Sequence, residues 1–152
     1  MLVAYIDESY DNREYVGYWM TAVIVRENAL ATYWEALLAI ANGPGLAPDT
    51  ELHGSDLFHG DNAFKGMSPN DRIAFYRRGL EVIREHALCV LVAAHIPGSE
   101  GAPSLMDWRM SVLSNLVPEI ERVARAQSEF VVLVCDEEHS MNRSGNVAGF
   151  SP

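Results

Sequence analysis

At 152 residues, nearly half of them apolar, the chain has the size and composition of one ordinary domain with a real core, and no stretch approaches the roughly 20 uninterrupted apolar residues that span a bilayer. Eleven basic residues stand against 21 acidic ones, a net charge of −10, which works against a simple electrostatic grip on nucleic acid. An acidic cluster that binds divalent ions escapes that exclusion, because the ions reverse the local field and can engage phosphates themselves.

The N-terminus lacks a basic region followed by an apolar signal segment, so a soluble, cytoplasmic protein is expected, with no membrane partner. Cys89 and Cys135 lie in apolar, strand-like runs without CxxC spacing and read as buried free thiols.

In chain order, "LVAYI" (2–6) reads as an interior strand that stops on Asp7 and Glu8. Asp11 and Asn12 suit a hairpin turn into a second strand, "YVGYWMTAVIVRE". Leu30, Tyr33, Leu37 and Ile40 then keep a helical period that ends at Gly43 and Pro44. Residues 44–68 show no sustained period and read as a long loop, which in a compact domain is usually functional.

Ser68 and Pro69 are an N-cap and first helical residue, and Ile73, Tyr76, Leu80, Ile83 and Ala87 mark one face of the helix they open. "ALCVLVAAHI" follows as a buried strand. A third helix from Ser104 aligns Leu105, Trp108, Val112, Leu116, Ile120 and Val123, with a kink expected at Pro118. "FVVLVCDEEH" is a last apolar strand that also ends on acids. The sum is an α/β domain with a mixed sheet, an N-terminal hairpin and flanking helices, its last strands apolar enough to be covered on both faces.

Three acidic stations carry the functional argument: "YIDES", "ELHGSDLFHGD" and "VCDEEH". A buried carboxylate needs a cation, a metal or a shifted pKa. In open α/β sheets, ligands collect at the carboxyl ends of strands. If the first strand and strand 130–136 run parallel, Asp7 and Asp136 emerge at one end of the sheet; were strand 88–95 to lie between them, they would stand about 9 to 10 Å apart. Glu51, His53, Asp56, His59 and Asp61 are further donors from the long loop. Clustered hard oxygen donors suit Mg2+ or Mn2+, and two such ions can clamp both the attacking and leaving oxygens of a phosphodiester.

Plainer readings stand beside these. Asp7 and Asp136 can each bond a local turn, Glu8 and Ser9 can face solvent, and Glu137 and Glu138 read most simply as surface acids. His53 and His59 lack the companion pattern that would specify zinc, His95 reads as packed or hydrogen-bonded, and no GxSxG elbow supports a serine triad.

Taken together, "YIDES", "ELHGSDL" and "VVLVCDE" after a long helix resemble the bacterial and phage family known as domain of unknown function 3800, over almost the whole chain. The resemblance implies a single ribonuclease-H-like domain over 1–152 and metal-binding or catalytic roles for Asp7, Glu51 and Asp136, with Glu8, Ser55 and Glu137 as neighbours. His53 stands where lysine is common in that family, exchanging a permanent cation for a group that ordinarily titrates near neutrality and could act as a general acid. Enzymes of that fold draw a last acid from a C-terminal helix, whereas "NRSGNVAGFSP" has turn composition, so a domain without that helix is expected.

The expected function is a metal-dependent nuclease or phosphoryl-transfer domain that uses Mg2+ or Mn2+ at Asp7, Glu51, Asp136 and Glu137, with His53 in a catalytic role. The alternative is a catalytically inactive module of the same fold, used for binding or assembly, with Trp19, Trp34 and Trp108 as candidates for a protein or self-association interface. A small-molecule hydrolase with zinc in the His-rich loop is a third reading.

Overall fold

The computed structural model describes residues 1–10, 17–43, 46, 53–96 and 104–135. Four strands, β1 (Leu2–Tyr10), β2 (Tyr18–Arg26), β3 (Ala87–His95) and β4 (Val131–Cys135), form a mixed sheet in the order β3-β2-β1-β4. β1 and β2 are antiparallel from Leu2↔Arg26 to Tyr10↔Tyr18, and β3 runs antiparallel to β2. β4 lies parallel to β1, from Leu2↔Val131 to Ile6↔Cys135.

Period-two alternation decides what each face of the sheet does. Leu2, Ala4 and Ile6 of β1 and Tyr18, Met20, Ala22 and Ile24 of β2 point to one side and are buried. Helix α4 (Leu105–Ala126) covers them with Trp108, Val112, Leu116, Ile120 and Ala124, a stripe repeating every four residues. The Ser104 hydroxyl and the Asp107 carboxylate close a capping box at its start. The helix continues through Pro118, which has no N–H to give the Ser114 carbonyl.

Among the described residues, the other face is covered less completely. Helix α1 (Leu30–Ala41) sets its one buried residue, Tyr33, against Tyr5 with ring centroids 6.4 Å apart. Helix α3 (Pro69–His86) lies against α1, with His86 and Tyr33 rings 6.3 Å apart. Ser68 caps α3 by accepting the Asp71 N–H at 3.2 Å. Between α1 and α3 sit a short helix α2 (Gly54–His59) and a 3-10 turn at Asn62–Phe64, whose Phe64 packs edge-on to Phe75.

Several sequence expectations change. β1 does not stop at the acids; pairing with β2 carries it on to Tyr10, so Asp7 and Glu8 are strand residues. The segment expected as loop is partly helical: α2 has only six residues, too few to show a period, between extended His53 and left-handed Gly60 (φ +78°). β3 and β4 are not buried strands. They are the outer strands of the four, and Val90, Val92, Val132, Leu133 and Val134 are all exposed. Cys135 is exposed with them, whereas Cys89 is half-buried against the α4 core, where desolvation pushes its thiol pKa up. β3 is not interposed between β1 and β4. On α3, Ile73, Tyr76 and Leu80 share a face as expected, but that face is exposed, because α1 meets the helix on another side.

No helix among the described residues is long and apolar enough to cross a membrane.

Candidate functional site

The acid pair of "YIDES" is split by the sheet. Adjacent strand residues point to opposite faces, so Asp7 joins Val3, Tyr5 and Ser9 on the α1/α3 side while Glu8 joins Leu2, Ala4 and Ile6 on the α4 side. Glu8 is accordingly engaged: it accepts a hydrogen bond from the Tyr18 hydroxyl and stands 3.8 Å from Arg109 Nε. Its side chain is 26 % exposed and that of Arg109 is 23 % exposed, so this pair is shielded from solvent on the sheet's covered face. Close by, His95 Nδ1 lies 3.2 Å from Ser111 Oγ, and its ring stacks on Trp108, so it is packed and hydrogen-bonded as its strand position suggested. Gly17 opens β2 at φ +145°, where a Cβ would meet the His95 carbonyl at 2.9 Å. These contacts fasten the far end of β1 and β2 to α4.

Asp7 is exposed, and its Oδ1 accepts the Glu8 N–H at 2.8 Å. That leaves Oδ2 and a further lone pair of the carboxylate for other partners. Asp7 pairs across the hairpin with Thr21, and its other flank lies one residue past Ile6, where the described pairing with β4 ends at Cys135. Ser9, two residues on and on the same face, lines a cleft of about 650 Å³ with Ser55, Phe58 and His59 of α2 and Arg72 and Tyr76 of α3.

That cleft has a structural keystone. Arg72 donates through Nη1 to the Leu57 and Phe58 carbonyls, at 3.1 and 2.6 Å, so a cation neutralises the carbonyl end of α2 and ties it to α3. The guanidinium lies over Gly60, where a Cβ would sit 2.8 Å from Nη1. Glycine there meets two demands at once, the left-handed backbone and the room for Arg72.

Of the candidate donors in the long loop, His53 precedes α2 with extended backbone and an exposed side chain. His59 Nδ1 donates to the Ser55 carbonyl at 2.8 Å, and Asp56 Oδ2 accepts from Asn62 Nδ2 at 2.9 Å. Asp61 precedes the 3-10 turn and accepts the Phe64 N–H on its carbonyl. Glu51, Asp136, Glu137 and Glu138 lie outside the described residues, as do Asp11 and Asn12. Among the described residues no three His, Cys, Asp or Glu side chains converge on a point that could hold a metal ion. Asp7 is therefore the described member of the expected ligand set, and its exposed carboxylate is a hard oxygen donor of the right kind for Mg2+ or Mn2+.

Glu8, expected to face solvent, is instead turned toward Tyr18 and Arg109, because β1 continues past Ile6 and its period-two alternation places Glu8 on the covered face. Arg72 had no signal of its own, since its role depends on where α2 docks.

A scan against protein-family models returns no match, and no curated protein matches the chain.

Proposed function

We propose that this chain is a ribonuclease-H-like domain related to the domain of unknown function 3800 family, and that it is a divalent-metal-dependent nuclease or phosphoryl-transfer domain acting on nucleic acid. One observation carries the reading: β4 pairs directly with β1 and runs parallel to it, with Ile6 opposite Cys135. The two strands whose sequences run on into acids therefore head toward the same end of the sheet, and Asp7 follows the last residue of β1 that pairs with β4. Adjacent strands are about 4.8 Å apart, a closer spacing than an interposed strand would allow.

In this reading Asp7, Glu51, Asp136 and Glu137 hold one or two Mg2+ or Mn2+ ions. When bound, such ions supply Lewis acidity toward the phosphate and a nucleophilic water. The chain's own contributions are distinct from that. The exposed Asp7 offers a hard oxygen donor, and the Glu8–Tyr18–Arg109 contacts hold the strand that presents it. His53, at the start of α2, is the candidate general acid toward a leaving oxygen.

The test is cleavage of end-labelled single- and double-stranded DNA and RNA in Mn2+ or Mg2+, by wild type and Asp7→Asn. The expected result is cleavage by the wild type that disappears with EDTA and falls to background in Asp7→Asn. No cleavage of any substrate would overturn the reading in favour of a catalytically silent binding or assembly module, and undiminished cleavage by Asp7→Asn would overturn the assignment of Asp7 to the site.

A further inference from the structure

Burial does not hold α2 in place. None of its six residues is buried, and its largest apolar side chain, Phe58, is 83 % exposed. A helix this short does not persist in water without an anchor. Asp56 ties it to the turn that follows, through Gly60, Asp61 and Asn62. Among the described residues, the hydrogen bonds that join α2 to α3 are both made by Arg72 Nη1, to the Leu57 and Phe58 carbonyls.

Two features are given over to that contact. Arg72 Nε is buried without an acceptor, a state uncommon in folded proteins, so the guanidinium keeps the two carbonyls at the expense of its own Nε. Position 60 is a glycine, where any Cβ would sit 2.8 Å from Nη1. What the contact sets is the place of the start of α2. Gly54 and Ser55 line the cleft together with Ser9, and Asp7 stands two residues back on the same face of β1, about 7 Å along the strand. His53, with an exposed side chain, is joined directly to Gly54. A shift of α2 therefore shifts His53 relative to Asp7.

We propose that Arg72 is a positioning residue of the site: by fixing α2 to α3 it holds His53 within reach of the Asp7 flank of β1. Arg72 touches no substrate and acts through His53. The role of His53 rests on the proposed nuclease reading, whereas the hold on α2 needs neither metal nor substrate, and that separates the two experimentally.

The experiment takes two readouts on wild type, Arg72→Ala, Arg72→Lys, His53→Ala and His53→Ala/Arg72→Ala. Hydrogen exchange of the 53–60 amides, by mass spectrometry in EDTA, reports the hold on α2. Steady-state cleavage in Mn2+, as kcat and KM against pH, reports the chemistry. In Arg72→Ala the 53–60 amides should exchange about tenfold faster while those of α4 keep their rate, and kcat should fall about tenfold or more with KM within about twofold. The limb of the pH profile that His53→Ala removes should flatten in Arg72→Ala as well. In the His53→Ala background, Arg72→Ala should change kcat by less than about twofold, because the group it acts through is already gone. Arg72→Lys, or dilute guanidinium added to Arg72→Ala, should recover part of both losses. Arg77→Ala, which removes an exposed arginine of α3 outside the cleft, should match the wild type in both readouts.

Thermal unfolding curves establish which variants are folded at the assay temperature; where Arg72→Ala is not, Arg72→Lys and Gly60→Ala, whose Cβ crowds the guanidinium, carry the same test. Unchanged exchange of the 53–60 amides in Arg72→Ala would overturn the proposal whatever the cleavage result. Faster exchange with undiminished kcat, or a double variant whose loss is the product of the two single losses, would overturn it and leave the nuclease standing, with Arg72 a structural tie alone. No cleavage by the wild type would overturn the nuclease reading and, with it, this role for Arg72.

Discussion

Of two neighbouring carboxylates, Asp7 and Glu8, only Glu8 should cost stability when it is replaced. Replacing Glu8 by Ala removes the acceptor of the Tyr18 hydroxyl, a residue 1 % exposed, and the partner of Arg109 at 3.8 Å. A hydrogen bond to a charged group contributes about 1.5–3 kcal/mol, and the ion pair, about one-quarter exposed, adds a few tenths after screening. A loss of about 2 kcal/mol is expected, which in a domain of this size lowers Tm by roughly 4 to 8 °C. Asp7→Asn at an exposed position should stay within about 0.5 kcal/mol of wild type without metal. Urea and thermal unfolding followed by circular dichroism, in EDTA, measure both. If Asp7→Asn destabilises as much as Glu8→Ala, or Glu8→Ala is neutral, the two acids are not divided between the faces of β1.

Pro118 sits at an exposed position inside α4 and denies the Ser114 carbonyl its helical partner; Pro118→Ala should raise stability by about 1 to 3 kcal/mol, read as a higher Tm. Cys135 should react with a thiol reagent within minutes in the native state, and Cys89 much more slowly, because burial raises its pKa; mass spectrometry of partly labelled protein distinguishes them. The Ser104 hydroxyl, then its backbone N–H, hold the Asp107 carboxyl below the usual carboxylate range. A depressed folded-state pKa stabilises above the unfolded value and loses that stability as pH falls through the folded one. Ser104→Ala should therefore lower stability at neutral pH and flatten its acid limb, seen in Tm measured from pH 6 down to pH 2.

What could be read from the sequence was the part governed by local rules. The α4 stripe followed from its four-residue spacing, and the start of α3 from Ser68-Pro69, because capping and amphipathicity are written in consecutive residues. The mixed sheet followed from the order of strand-like and helical runs. What the runs could not reveal was coverage: β3 and β4 are as apolar as interior strands, yet they are the outer strands of the four, and that depends on topology. The same holds for α3, whose apolar face looked like core but is turned outward because α1 meets the helix elsewhere. At the site, Asp7 was visible as an acid after an apolar run. That Glu8 belongs to a different environment depended on β1 continuing to Tyr10, a consequence of its pairing with β2.

Asp7 as a ligand for a hard cation is the central claim about this site. Calorimetric titration of Mn2+ and Mg2+ into wild type, Asp7→Asn and Glu8→Gln at low salt tests it most directly. Saturable binding by wild type and by Glu8→Gln, lost in Asp7→Asn, is the predicted result. Absence of binding in the wild type, or binding that survives in Asp7→Asn, would contradict it.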